Sequence, residues 1–527
     1  MRRLATDYAF AFDQLASFYA GDPHLPAAWA DVVARVHAVP RATPALAAML
    51  RAQLERRGAP AAALEAAAAF ERPTSVAVVT GQQAGLFGGP LYTLHKALTA
   101  IKLARQVTAA HGVTAVPIFW IDSEDHDWEE VRRCTVLDDD QTPHTITAAD
   151  VEGAGELPIA RLTLDGQAVQ ATNDLAAALP ATDYTGELLA LLRRAYASGR
   201  GMSEAFGVVL DHVLGPHGLV VYDAADPAAK PFARRLFVKA LTDPGRTSAL
   251  AAATGAALES RGYHAQVTVT SEAAPLFLID GSRQSIRFRD DTAIVGDREM
   301  PLGELAAMAD AAPERFSPNV LLRPLVQDTI FPTVCYVGGP SELAYLGQLR
   351  DVYAHFDVPM PLVASRASAS VVDSATVRFL AKHDIPLTHF QRQDELTLNQ
   401  LLESQLPKAV ETSFAEAGAA IADRLDAVTA AASVVDATLE GAARSTLSKM
   451  QHDLQALHGK VVHAAKKKDE TLRRQFNRTQ TQLFPNGQPQ ERELGLVWLL
   501  NRYGPGTIDR LLEALPVDGG YHWVLAI

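Results

Sequence analysis

The segment FWIDSEDHDWEE (residues 119–130) crowds titratable side chains: Asp122, Glu124, Asp125, Asp127 and Glu129 stand with His126 within eight residues. Neighbouring carboxylates raise one another's pKa, and an imidazolium beside them offsets that rise. Such a group suits a general base, an ammonium-binding site or a metal site. We take Glu124, Asp125, His126 and Asp127 as the catalytic candidates. Asp122 and Glu129 read as acidic residues of a helix start, where the helix dipole favours negative charge.

Three other segments carry candidates. TGQQAGLFGGPLYTLHK (80–96) is a glycine-rich turn opening a helix. Its glycines let the backbone approach a ligand closely, and a helix N-terminus offers unpaired N–H groups to an anion. Gln82, Gln83, Gly85, Gly89, Tyr92 and Lys96 are therefore substrate-binding candidates. The plainer reading is a tight strand–helix turn with the lysine on a wet face. RPLVQDTIFPTVCYVGGPSELAYLGQL (323–349) repeats the pattern of a strand, a Gly-Gly turn and a helix. It adds Gln327, Gly338, Gly339 and Glu342 to the set, although Glu342 is also suited to a first helical turn. SRAS (365–368) adds Arg366, whose guanidinium can hold an anion with two hydrogen bonds. Neither Cys134 nor Cys335 has the context of a reactive thiol.

The surrounding elements must bring these segments together. SVAVVTG (75–81) and VPIFWI (116–121) are short β-branched apolar runs, the pattern of strands buried on both faces. LYTLHKALTAIKLARQ (91–106) between them is helical, with Leu91, Leu94, Leu98 and Ile101 on one face. Strand, helix, strand makes a βαβ unit and a parallel sheet. GLVVYDAAD (218–226) resumes the strand pattern and leads to a helix from about Pro227 to Leu241. TVCYVGG (333–339) and PMPLVASR (359–366) complete it. Each candidate segment then starts at the carboxyl end of a parallel strand. Those ends line one edge of the sheet, so distant residues converge on one crevice.

The flanking segments have other textures. Residues 1–72 read as helices. Residues 138–200 form a first insertion, with weak strands and a helix near Glu187–Ala197. Within a second insertion, 235–315, the runs QVTVTS, PLFLID, SIRFRD and TAIVGD predict short antiparallel strands. These insertions separate core segments 73–137, 201–234 and 316–394. From 395 to 482 apolar residues repeat in steps of three and four: Leu425, Val428, Ala432, Val435 and Leu439, then Leu447, Met450, Leu454, Leu457, Val461 and Ala464. That is coiled-coil spacing on two long antiparallel helices or one. Residues 483–527 form a tail anchored by Trp498, Tyr503, Tyr521 and Trp523. There Phe484, Arg492 and Trp498 combine aromatic and basic groups suited to an adenine nucleotide; simple packing of the C-terminus is the plainer reading.

Composition narrows the classes. The 527 residues are 48% hydrophobic and 21% charged, a globular balance. Forty-eight basic against 61 acidic residues give −13, which disfavours nucleic acid as a partner. Two cysteines exclude a disulfide framework and a four-thiolate zinc site, and fit a reducing cytoplasm. No apolar stretch is long enough to span a membrane, and we expect no metal.

The strings TGQQAGLFGGPLYTLHKALTAIKLA, FWIDSEDHDWEEV, RPLVQDTIFPTVCYVGGPSELAYLGQL and LFPNGQPQEREL (483–494) resemble the bacillithiol biosynthesis cysteine-adding enzyme family. The resemblance implies an α/β fold: a Rossmann-like core with two connecting insertions and a C-terminal helical coiled-coil domain that pairs two copies. It implies a ligase that adds L-cysteine to glucosaminyl-malate in the last step of bacillithiol biosynthesis. The alternative is a nucleotidyltransferase-like enzyme activating another small carboxylic acid. A coiled-coil scaffold with an inert core is the non-enzymatic reading. Amide formation needs an activated carboxyl group, so ATP or ADP is the expected cofactor. Class I synthetases, whose core the family shares, carry HIGH-like and KMSKS-like elements. Here GQQAG stands at the first position and SRAS is comparable to the second only in place, so their ATP chemistry does not transfer by residue.

Overall fold

The apolar runs form a five-stranded parallel sheet. With strands numbered along the chain, it contains β1 (Val76–Gln82), β2 (Ala115–Ile121), β5 (Val220–Asp223), β11 (Thr333–Gly338) and β12 (Leu362–Ser365), ordered β12-β11-β1-β2-β5. The computed structural model describes residues 2–41, 43–404, 408–468 and 470–527. Alternation explains why the strands lack a polar face. Ala77 and Val79 face one apolar cluster with Trp120 and Tyr222. Val76 and Val78 face another, built with Ala100, Leu103 and Val107 of the helix Leu91–His111. That helix runs past the expected Gln106 and stops at Gly112, whose φ of 65° ends it in the left-handed region.

Register aligns the strand ends. Gln82 pairs with Ile121, and Ile121 with Asp223. On the other side Thr80 pairs with Val337, and Gly338 with Ser365. The chain leaves β1 toward β2 and β5, then returns to build β11 and β12 on the opposite side. The reversal between β1 and β11 opens a crevice outside their carboxyl ends, the usual ligand position in open α/β sheets.

The antiparallel pair β3 (Arg133–Leu137) and β4 (Pro143–Thr147) straddles the start expected for the first insertion at residue 138, with β3 still in the segment read as core; helices Gly166–Ala178 and Thr185–Ala195 follow within the insertion. Only the second of these helices was expected from the sequence. Beyond the helices Lys230–Thr242 and Arg246–Ser260 comes the antiparallel sheet of β6 (Ala273–Asp280), β7 (Ser282–Arg289), β8 (Thr292–Val295), β9 (Arg298–Pro301) and β10 (Phe316–Pro318), ordered β10-β6-β7-β8-β9. QVTVTS is not a strand. The Gln348 side chain satisfies the backbone of Val267 instead, accepting from its N–H at 2.8 Å and donating to its carbonyl at 3.1 Å.

The chain divides into two compact units: residues up to Val371 with Gln490–Leu525, and Val372–Pro489. In the first, the tail contributes helices Leu496–Tyr503 and Thr507–Ala514, and β14 (His522–Ala526) pairs with β13 (Ser368–Val372). The second unit is helical. Lys408–Val435 and Leu439–Lys468 form an antiparallel pair, as the contacts Glu411–His458 (3.0 Å) and Gly418–Leu454 show. Leu439 therefore opens the second helix and does not close the first, because Asp436 caps the turn at Thr438. No helix among the described residues is long and apolar enough to cross a membrane.

Candidate functional site

A crevice of about 510 Å³ lies at the carboxyl ends of β1, β2 and β11. Gln82 and Gln83 enter it from β1, Asp122 and Asp125 from β2, and Glu342 from the helix Pro340–Leu346 after β11. Glu130 closes the β2 side. Arg283 comes from β7, and Arg323 from the start of the helix Arg323–Ile330.

The carboxylates share one amide. Gln83 Nε2 donates to Asp125 at 3.2 Å and to Glu130 at 2.9 Å. Partial desolvation raises the Glu130 carboxyl above the usual range, although the residue remains exposed, and the nearby charges of Asp127 and Asp125 raise it further. Burial also raises Asp122, against the pull of Arg323, whose guanidinium lies 3.9 Å away. The guanidiniums line the same crevice. Arg323 donates to the Tyr345 hydroxyl at 2.6 Å, and Arg283 lies 3.9 Å over the Phe277 ring. Carboxylates and guanidiniums both line the crevice, so it presents charge of both signs.

Beneath it, Lys96 is buried and not on a wet face. Its ammonium donates to the Gly81 carbonyl at 2.8 Å and to Gln82 Oε1 at 2.9 Å, and pairs with Glu342 at 2.5 Å. Burial would raise Glu342, but Lys96 and the Gly339 N–H outweigh it and hold the carboxyl low. Gly339 donates to Glu342 at 2.8 Å, and the Tyr336 hydroxyl donates to it as well. Lys96 thus fixes the β1 turn; it is not free to meet an anion. Tyr92 accepts from Gln82 at 3.2 Å behind the crevice.

Several candidates lie elsewhere. The Glu124 carboxylate is buried against the Lys230 ammonium at 2.5 Å, outside the crevice. Asp127 caps the short helix Trp128–Val131, accepting from the Glu130 N–H at 3.1 Å. The His126 side chain is 54% exposed and faces solvent beside Asp125. Asp122, expected to be a helix-start residue, lines the crevice instead, because β2 ends one residue before it. Gln327 is buried and donates to Asp328 at 2.8 Å.

The glycine-rich turn does not cradle an anion. Gly85 packs on Gly89, where a Cβ would come within 2.8 Å of the Gly89 Cα. The Leu91 N–H, which would have faced a ligand, donates to the Leu494 carbonyl at 2.9 Å, and the Leu496 N–H donates to the Gly89 carbonyl at 2.9 Å. The tail has taken the place expected of a phosphate.

Arg366 joins a second knot at the end of β12. Its guanidinium pairs with Glu491 through two bonds of 2.7 and 2.8 Å, and His95 and Ser368 also bond that carboxylate. Arg492 and Gly338 line the small cavity beside it, about 250 Å³ in volume, with Ser365 and His522. Trp498 is sealed in the apolar core against Tyr503 and offers no face to an adenine. Phe484 belongs to the second unit and is half-buried there.

Glu130, Arg283 and Arg323 were not singled out from the sequence. Glu130 and Arg323 stand inside strings already noted. Arg283 has no local signal, since its hairpin is separated from β2 by some 160 residues of chain. Among the described residues no cluster of His, Cys, Asp and Glu could hold a metal ion.

Comparison with known proteins gives one result throughout. Residues 1–367 match the family described as "Bacillithiol biosynthesis BshC, N-terminal Rossmann-like domain", and residues 369–527 match "Bacillithiol biosynthesis BshC, C-terminal coiled-coil domain". A relative from Salinibacter ruber, named "Putative cysteine ligase BshC", is 34% identical over 99% of this chain and 96% of its own. Relatives of the same name from Koribacter versatilis (34% identical; 84% of this chain, 82% of theirs) and Symbiobacterium thermophilum (33%; 90% and 88%) agree.

Proposed function

The chain belongs to the BshC family of bacillithiol biosynthesis, and from that premise we propose that it joins L-cysteine by an amide bond to the amino group of glucosaminyl-malate in the crevice at the ends of β1, β2 and β11. The observation that carries this reading is the presence of both signs of charge in the crevice. Each substrate holds an ammonium group and at least one carboxylate. Asp122, Asp125 and Glu130 suit the ammonium groups, and Arg283 and Arg323 suit the carboxylates.

Chemistry at this site needs an amine that has lost its proton. Glu130, made more basic than an ordinary carboxylate by partial desolvation at the crevice edge and by the like charges of Asp127 and Asp125, accepts that proton. Gln83 holds Glu130 and Asp125 in one orientation. When bound, ATP would supply a phosphoryl or adenylyl group to the cysteine carboxylate, and that group would leave with one carboxylate oxygen as the amine forms the amide bond. Sealed Trp498 leaves the tail's nucleotide candidates without a stacking surface, so Arg492 is the only one of the three that lines a cavity in the first unit. In the second unit the exposed Val428, Val434, Val435 and Leu457 on the helical pair support a homodimer formed there. A cytoplasmic location accords with two buried free cysteines.

Thiol profiling of a strain lacking the gene tests the assignment. Bacillithiol should disappear and glucosaminyl-malate accumulate. Normal bacillithiol in that strain would refute it.

A further inference from the structure

A cavity of about 1030 Å³, roughly twice the volume of the crevice, lies where the chain enters β11 and β12, at the other end of those strands. Its walls come from the helices Thr43–Arg57 and Lys230–Thr242 and from the segments leading into the two strands. It shares no lining residue with the crevice. The floor is apolar, formed by Leu46, Met49, Phe232, Leu236, Ile330 and Val358. That volume and lining suit a drug-sized organic ligand, with a few polar groups to orient it.

The polar groups are three cations, Arg41, Arg235 and Lys239, with two carboxylates and the Thr329 hydroxyl. The Arg41 guanidinium donates to the carbonyls of Val36 (2.9 Å), Val39 (3.3 Å) and Asp328 (3.3 Å), none of which carries a full charge. Arg235, one turn before Lys239 on the same helix, is exposed and has no side-chain partner among the described residues. Lys239 donates to the His355 carbonyl and to Asp357 at 3.3 Å. Of the two lining carboxylates, Asp357 is thus paired. Asp328 is turned to Tyr353 and Gln327, which donate to its two oxygens. Two guanidiniums therefore border an apolar floor with no carboxylate bound to either.

We propose that this cavity is a second ligand site, shaped for an amphipathic anion: an apolar body on the Leu46–Phe232–Ile330 floor and a carboxylate, sulfonate or phosphate against Arg235 and Arg41. Nothing in the proposed ligation uses it, so its occupant is neither of the two substrates of the crevice.

The test uses the full-length protein and 8-anilinonaphthalene-1-sulfonate, an amphipathic anion whose fluorescence rises in apolar surroundings. The neutral N-phenyl-1-naphthylamine is the control. The sulfonate should bind saturably, and Arg235→Glu should weaken it about tenfold, the scale of one charge-assisted contact, while leaving the neutral probe unaffected. Ala48→Trp, from an exposed position on the cavity wall, should block both probes. Amide exchange at Asp328–Ile330 should slow when the sulfonate binds. Absence of saturable binding, binding indifferent to Arg235→Glu, or protection confined to other segments would overturn the proposal. Because Arg235 is exposed, its variant stays informative even if Ala48→Trp does not fold.

Discussion

Glu130→Gln is expected to slow bacillithiol formation by about a hundredfold to ten-thousandfold, the usual contribution of a positioned general base. The substitution keeps the shape of the side chain and an oxygen that can accept from Gln83 Nε2, so the fold and the crevice should survive. The pH profile separates a base from a structural residue. A carboxyl raised by partial desolvation and by the charges of Asp127 and Asp125 is protonated at low pH, and the wild-type rate should climb as pH rises through its elevated pKa. In the glutamine variant that limb should vanish. A rate within a few-fold of wild type, with the limb intact, would remove Glu130 from the chemistry. Initial rates with purified enzyme, L-cysteine, glucosaminyl-malate and ATP across pH provide the measurement.

Arg366→Met should cost the fold about 3–5 kcal/mol, because it leaves the Glu491 carboxylate buried without its main counter-charge. Both members are nearly sealed, at 7% and 6% side-chain exposure, so solvent cannot take over the role. Their pairing fastens the tail segment Gln490–Glu493 to the end of β12. The pH dependence has a definite sign. Burial alone would raise Glu491, but hydrogen bonds from His95 and Arg366 outweigh it and hold the carboxyl far below its ordinary range. A depressed carboxyl stabilises the fold above its unfolded pKa, about 4.3, and that stability is lost as pH falls below it. Urea unfolding of the wild type should weaken steadily below about pH 4, and Glu491→Gln should make that slope shallower, at the expense of stability at neutral pH, while other depressed carboxyls such as Glu342 keep part of it. Unfolding midpoints unchanged by Arg366→Met would show that this knot contributes little.

The sheet was legible because buried parallel strands leave a strong trace: SVAVVTG, VPIFWI and TVCYVGG are apolar on both faces, and their ends fall on the glutamine, carboxylate and Gly-Gly turns. The convergence of Gln83, Asp125 and Glu342 on one crevice followed from that. The roles inside the clusters were less legible. In EDHD, spacing alone did not reveal that Glu124 turns inward to Lys230, more than 100 residues away, or that Asp127 is spent as a helix cap. The glycine turn looked made for an anion because its partner, the Leu494–Leu496 backbone, lies 400 residues along the chain. Arg283 was hidden for the same reason. QVTVTS alternates like a strand, yet the amide of Gln348 occupies the backbone that a neighbouring strand would need.

The central claim is that the crevice at the β1–β11 reversal, with its charges of both signs, receives the substrates. A crystal structure of the protein with glucosaminyl-malate addresses it without reliance on any variant. The account predicts the sugar amine within hydrogen-bond distance of Glu130 or Asp125, and the malate carboxylates on Arg283 and Arg323. Glucosaminyl-malate seated in another cavity, with those four side chains touching none of it, would contradict the account.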